Sequence, residues 1–164
     1  MHSWVASQIP QVAAIDGHSI RLHTEATSTT LDLNWSNCFM YALGISIDDV
    51  ETVKNKAHVR TRTDIQFDWE FVAELVAAAV LYKRHGEGVR GDVVVYFDGD
   101  RPRHAGLWTG SRVISKWGYG VTHVWDHCLY EAPSTYGDDA CMFLPPSKPD
   151  VLGAFETWAR KRTP

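Results

Sequence analysis

Residues 91–117 read GDVVVYFDGDRPRHAGLWTGSRVISKW, and this stretch decides the fold that the sequence predicts. Gly91–Phe97 is rich in β-branched and aromatic residues, as is typical of a central strand. Two Gly-containing turns then separate it from two further strand-like runs, His104–Trp108 and Arg112–Trp117. The spacing therefore predicts an antiparallel meander of consecutive strands.

Helical patterns flank this meander on both sides. On its N-terminal side, Asp68 is the predicted N-cap of a helix with apolar residues at three- and four-residue intervals, and Gly86 is its predicted end. On its C-terminal side, we expect a late strand around 140–144 and a final helix from about Pro149. Helices that precede an antiparallel meander indicate an α+β fold.

Cys38 stands in the stretch NWSNCFMYALGI at 34–45, where Ser36 is the predicted N-cap of a short helix. A cysteine in the first turn of a helix lies near unpaired backbone N–H groups and the positive end of the helix dipole. Both features favour the thiolate, so the sequence predicts that the pKa of Cys38 lies below its ordinary value. A buried structural cysteine is the alternative interpretation.

His104 begins the second strand of the meander, where its side chain is expected to project toward a helix terminus and reach the thiol. Pairing across the next turn is expected to set Ser115 or its neighbours beside this imidazole. Ser115 interrupts an apolar run, so it is the first choice for the group that orients the ring. Lys116, Asp126 and His127 remain alternatives for that role.

Four segments carry these motifs: Asn37–Leu43, Gly91–Tyr96, His104–Leu107 and Val113–Ser115. Their order resembles the papain-like fold of NlpC-like and CHAP-like cysteine peptidases and amidases. That superfamily has a cysteine at a helix start, a Gly-Asp-apolar strand, a His-small-Gly-aliphatic strand and a polar residue on the next strand. Three later segments, 115–118, 127–133 and 136–138, are similar to uncharacterised bacterial proteins of the same superfamily.

The resemblance implies one papain-like domain over residues 1–164, with NlpC-like helices packed on the meander. Its parts would be an N-terminal cover segment at 1–33, a catalytic core at 34–120 and a C-terminal extension at 121–164. The implied activity is that of a cysteine hydrolase that attacks an amide or isopeptide bond, with transfer of the acyl group to an amine or alcohol left open. A bacterial toxin or effector is one setting for such an activity.

The resemblance also implies a role for each matched residue. Cys38 would be the nucleophile, His104 the base and Ser115 the third catalytic residue. Backbone N–H groups would stabilise the oxyanion, with help from polar side chains nearby. The candidate residues for oxyanion and substrate binding are Asn34, Asn37, Trp117 and His127.

Composition narrows the expected partners. The formal net charge is −4, which disfavours a nucleic-acid reader because such proteins meet phosphates with a positive face. No run approaches the roughly 18 apolar residues of a membrane span, and residues 1–20 lack the features of a secretory signal peptide. We therefore expect a cytoplasmic location by default, with export by a route without a cleaved signal left open.

The expected partner is a peptide, a peptidoglycan fragment or a protein substrate. No cofactor and no metal ion are expected in this interpretation, and the sequence leaves the oligomeric state open.

Two other functions compete with this interpretation. His123 and His127 have the spacing of a zinc-binding pair on a helix, with Cys128 adjacent, although Val124–Asp126 between them read as a loop. The second alternative is a catalytically weakened papain-like domain that binds a ligand in an aromatic groove. The tryptophans available for such a groove are Trp35, Trp108 and Trp117.

Overall fold

The computed structural model describes residues 19–24, 36–118 and 123–162. The predictions made for Asn34 and Trp35 lie outside the described residues, as does most of the proposed N-terminal cover segment. Within the described part, helices and strands form an α+β structure, which confirms the fold class at that level.

The strands of the described residues form one six-stranded antiparallel sheet with the order β1-β5-β4-β3-β2-β6. They are β1 (Arg21–Thr24), β2 (Val93–Asp98), β3 (Arg101–Trp108), β4 (Val113–Lys116), β5 (Val124–His127) and β6 (Asp139–Phe143). The predicted meander is present as β2, β3 and β4. The expected loop at 124–126 is wrong, because this segment is β5, which pairs with β4 from Val113↔His127 to Lys116↔Val124.

Four α-helices complete the described part of the chain. They are α1 (Cys38–Ala42), α2 (Ile47–Lys56), α3 (Trp69–Ala77) and α4 (Lys148–Lys161). Helix α2 was not predicted, although Ser46 and Asp49 form a capping box at its start. No helix of the described residues is long and apolar enough to cross a bilayer.

Helix α3 begins after its predicted N-cap, Asp68, but it ends at Ala77 rather than near Gly86. The following segment turns back to the sheet: the N–H of Arg84 donates to the carbonyl of Met142, and the N–H of Leu144 donates to the carbonyl of Tyr82. These backbone groups are paired beside β6, so they are not available to continue the helix. The apolar periodicity alone did not reveal this competition.

The two faces of the sheet have different neighbours, and this difference positions the site. Val93, Val95 and Ala105 lie in the core that all four helices share. Val94 and Tyr96 alternate with them and lie in a separate cluster on the other face. Adjacent residues of β3 therefore meet different surroundings.

The Gly-Asp motif before β2 has a structural role. Asp92 is only 1% exposed and forms a bidentate ion pair with Arg84. Nη2 of Arg84 lies 2.7 Å from Oδ1 of Asp92, and Nε of Arg84 contacts Oδ2. The N–H of Val89 also donates to Oδ2 at 2.7 Å. This carboxylate connects the 84–92 loop to the start of β2.

Candidate active site

Cys38 is the first residue of α1, and Asn37 rather than Ser36 is the N-cap. The side-chain oxygen of Asn37 accepts from the N–H of Met40 at 2.9 Å, while its Nδ2 donates to the carbonyl of Phe67 at 2.6 Å. An amide both accepts and donates, so Asn37 caps α1 and also tethers it to the segment before α3. The hydroxyl of Ser36, the predicted cap, is buried without a hydrogen bond among the described residues.

The surroundings of the Cys38 sulfur act on its pKa in opposite directions. Burial raises the pKa of the thiol to about 11, although backbone N–H groups of Ala105 and Phe39 and the charge of Lys116 favour the thiolate. The predicted lowering of this pKa is therefore wrong for this conformation. The desolvation of the sulfur outweighs the N–H groups, which sequence position alone could not reveal.

Lys116 faces Cys38 from β4. Lys116 is the last residue of β4, and α1, the helix that carries Cys38, packs against both β3 and β4. Lys116 is fully buried, and burial lowers its pKa to about 8, although the charge of Cys38 acts in the opposite direction. A lysine with this pKa exchanges its proton near neutral pH, where an ordinary lysine stays charged.

His104 packs among aromatic rings on β3. Its ring stacks on Tyr136, with centroids 4.1 Å apart, and packs against Tyr96 at 5.6 Å. Both ring nitrogens are buried without a hydrogen bond among the described residues, so His104 does not bond to Cys38 here. Burial, and then the charge of His127, hold the pKa of His104 well below its usual range.

Ser115 bonds to a different histidine from the one predicted. Its Oγ lies 2.8 Å from Nε2 of His127 and accepts from Nε1 of Trp117 at 2.9 Å. Nδ1 of His127 lies 2.8 Å from the carbonyl of Cys128, so Nδ1 carries the proton and Nε2 accepts from Ser115. The expectation that Ser115 orients His104 is therefore wrong in this structure.

The register explains why Ser115 and His104 do not meet. Ser115 lies opposite Gly106, where an added Cβ would lie 2.8 Å from Cβ of Ser115 and 2.5 Å from Cγ1 of Val113. Glycine thus allows β3 and β4 to approach closely at this point. Because His104 comes two residues before Gly106 on β3, the hydroxyl lies too far along the ladder to reach it.

We expect Ser115→Ala to destabilise the fold by about 1–3 kcal/mol, because Trp117 loses its acceptor and His127 its donor inside the core. Ser111→Ala, at an exposed turn position, is the control and should change the free energy of unfolding by less than about 0.5 kcal/mol. Urea denaturation of both variants measures the difference. Equal stability of the two variants would contradict the role of this network.

Cys38 opens onto a groove of about 450 Å³. Its described lining is Asn37, Cys38, Phe39, Asp68, Trp69, Arg101, Pro102, Arg103, Thr135 and Tyr136. Trp117 and His127 were expected to line the groove, but the two side chains are only 1% and 0% exposed. Both form hydrogen bonds with Ser115 in the interior instead. Sequence patterning did not single out the two arginines, whose place in the groove depends on how the 101–103 segment packs beside α3.

The other predicted site residues also have structural partners. Asp126 forms an ion pair with Arg112, and not with His104. His127 belongs to β5, and in a strand residues four positions apart are about 13 Å apart, so the helical pairing with His123 does not form. Among the described residues no group of three or more His, Cys, Asp or Glu side chains is placed to hold a metal ion.

No protein-family model, no curated protein and no solved structure matches this chain.

Proposed function

We propose that this protein is a cysteine hydrolase of the peptidase or amidase type, with Cys38 as the nucleophile. The supporting observation is the set of groups around one sulfur: Cys38 lines a groove, backbone N–H groups of Phe39 and Ala105 point to it, and Lys116 faces it. A purely structural cysteine has no need of a buried amine beside it, because burying Lys116 costs free energy.

In the proposed reaction, the Cys38 thiol attacks the carbonyl carbon of an amide, and its proton passes to the neutral amine of Lys116. A carbon–sulfur bond forms, and backbone N–H groups of Phe39 and Ala105 stabilise the oxyanion. Lys116 then gives the proton to the leaving amine as the carbon–nitrogen bond breaks. Water hydrolyses the thioester, or an amine or alcohol accepts the acyl group.

Lys116 takes the place of His104 in this proposal because the charge of Lys116 acts on the sulfur, whereas the imidazole stacks on Tyr136 and makes no hydrogen bond among the described residues. The base role of His104 stays a prediction from sequence. The two assignments differ in their pH dependence, since the pKa of Lys116 is about 8 and that of His104 lies well below its usual value.

We expect the rate of Cys38 acylation by p-nitrophenyl acetate to rise with pH through about pH 8 and then level off, because only neutral Lys116 accepts a proton. Lys116→Met should lower the rate by about 10²-fold. Lys116→Arg should lower the acylation rate by a similar factor, because a guanidinium keeps the charge but does not give up its proton. Mass spectrometry of the acetylated Cys38 peptide measures the rate.

His104→Phe is the matched control, because phenylalanine keeps a ring against Tyr136 and removes only the titratable nitrogens. This variant should retain the pH profile. If His104→Phe abolishes acylation while Lys116→Met leaves it intact, Lys116 is not the base. His104, the base that the sequence predicted, would then take that role.

A binding domain without catalysis is the second candidate. The pKa of about 11 at Cys38 favours it, because few thiolates exist at neutral pH unless a neighbour takes the proton. The same acylation assay separates the two functions, since in a pure binding domain Lys116→Met would leave the acylation rate of Cys38 unchanged.

A further inference from the structure

The groove at Cys38 carries positive charge in a protein whose formal net charge is −4. Arg101 and Arg103 both line it, and Asp68 is the one carboxylate among the described lining residues. The Asp68 side chain already accepts from the N–H groups of Glu70 and Phe71 as the N-cap of α3. The groove thus presents two guanidinium groups to an incoming ligand.

Arg101 is held in place by an aromatic ring. Its guanidinium carbon lies 3.9 Å from the centroid of Trp69, in a cation–π contact. Stacking uses the face of the guanidinium and leaves the in-plane N–H donors for hydrogen bonds. Arg101 is therefore partly preorganised before a ligand arrives, which lowers the entropy cost of binding.

Arg103 stands at an irregularity of the β2–β3 ladder. Tyr96 pairs with His104 and Phe97 pairs with Pro102, so Arg103 is the extra residue of the bulge. Its side chain is exposed and has no ion-pair or hydrogen-bond partner within the described segments. A bulge of this kind redirects a side chain. Here it leaves the guanidinium of Arg103 without a described partner in the lining of the Cys38 groove.

We propose that this groove binds a substrate whose acyl part carries a carboxylate, such as an acidic peptide, and that Arg101 and Arg103 hold that carboxylate beside Cys38. Guanidinium groups match carboxylates in charge and in fork geometry. The inference rests on the proposed function, because it names the substrate class of the same site.

Iodoacetate and iodoacetamide test the charge preference without an identified substrate. The two reagents alkylate thiols, are nearly equal in size, and differ in carrying a carboxylate or a neutral amide. We expect the iodoacetate-to-iodoacetamide rate ratio at Cys38 to exceed that of N-acetylcysteine by about fivefold, as two partly exposed charge pairs would produce. Peptide mass spectrometry after timed quenching gives the rate at Cys38.

The variants assign the preference to the arginines. Arg103→Gln should lower the ratio about twofold, and the double replacement with Arg101→Gln should bring it to the N-acetylcysteine value. Arg90→Gln, at an exposed position outside the groove, is the control and should leave it unchanged. The wild-type ratio should also fall at about 1 M salt, where the Debye length is about 3 Å.

A wild-type ratio equal to that of N-acetylcysteine would overturn the inference. A raised ratio that survives the double replacement would overturn it as well, because the preference would then belong to another cation such as Lys116. Failure of the proposed function is measured separately with the neutral ester p-nitrophenyl acetate, as a rate of Cys38 acylation that Lys116→Met does not change. The two failures are thus distinguishable.

Discussion

Replacing Cys38 by alanine is expected to abolish acylation by p-nitrophenyl acetate, with a fall of at least about 10³-fold in rate. The proposed reaction forms a thioester at this sulfur, and no other group of the groove lining can form that bond. Both Cys38→Ala and wild type should show the same circular dichroism, because Cys38 as a residue is half-buried and makes no side-chain ion pair with a described residue. Release of p-nitrophenolate, corrected for the buffer reaction, measures the loss.

Cys141→Ala is the matched control for this variant. Cys141 is also a free, half-buried cysteine, but it lies on β6 in a different groove from Cys38. We expect this variant to retain the wild-type rate and the acetylated Cys38 peptide. An active Cys38→Ala protein would disprove the nucleophile, and with it the proposed hydrolase.

Replacing Asp92 by alanine is expected to lower the free energy of unfolding by about 3 kcal/mol. This value is near the lower end of the destabilisation that follows the removal of one partner from a buried ion pair. The Asp92 side chain is 2% exposed, whereas that of Arg84 is 21% exposed and keeps some contact with water. The loss also leaves the N–H of Val89 without its acceptor. Guanidinium denaturation at neutral pH measures the change.

Asp64→Ala is the control, because Asp64 also pairs with an arginine, Arg62, through two oxygens. That pair is exposed on the surface, so its loss should change stability little. Asp92→Asn, which keeps an acceptor for Val89, should fall between wild type and Asp92→Ala. Equal stability of the Asp92→Ala and Asp64→Ala variants would contradict the anchoring role of Asp92.

The Asp92 carboxylate also predicts a pH dependence. Although burial opposes ionisation, hydrogen bonds from Arg84 and Val89 hold the pKa of Asp92 below its ordinary value. A lowered folded-state pKa contributes stability above the unfolded value of about 3.9, and this is lost as pH falls through the folded value. The difference in stability between wild type and Asp92→Ala should therefore shrink below about pH 4.

Several elements could be predicted from the chain because local chemistry determines them. The β-branched run before the Gly-containing turns predicted β2 to β4, and Asp68 predicted the start of α3. The final helix also begins where expected, near Pro149. These elements depend on propensity, capping and turns, which are properties of neighbouring residues.

Elements that depend on distant partners were missed. The strand β5 forms because β1 and β4 flank it, and α3 stops at Ala77 because residues 82–84 pair beside β6. Neither partner is visible in a local window of sequence. The N-cap of α1 is Asn37 in the structure, whereas the sequence predicted Ser36. The amide of Asn37 also donates to the carbonyl of Phe67, a partner distant in the chain.

By itself, the sequence determined a cysteine at a helix start and a three-stranded meander within an α+β fold. Only the tertiary structure decided which side chain of the meander faces Cys38. Strand residues alternate between faces, so a shift of one position exchanges Ser115 for Lys116 and His104 for Ala105. The register of β3 and β4 beside Gly106, together with the packing of α1, decides between Ser115 and Lys116. In the structure it is Lys116 that faces the Cys38 sulfur.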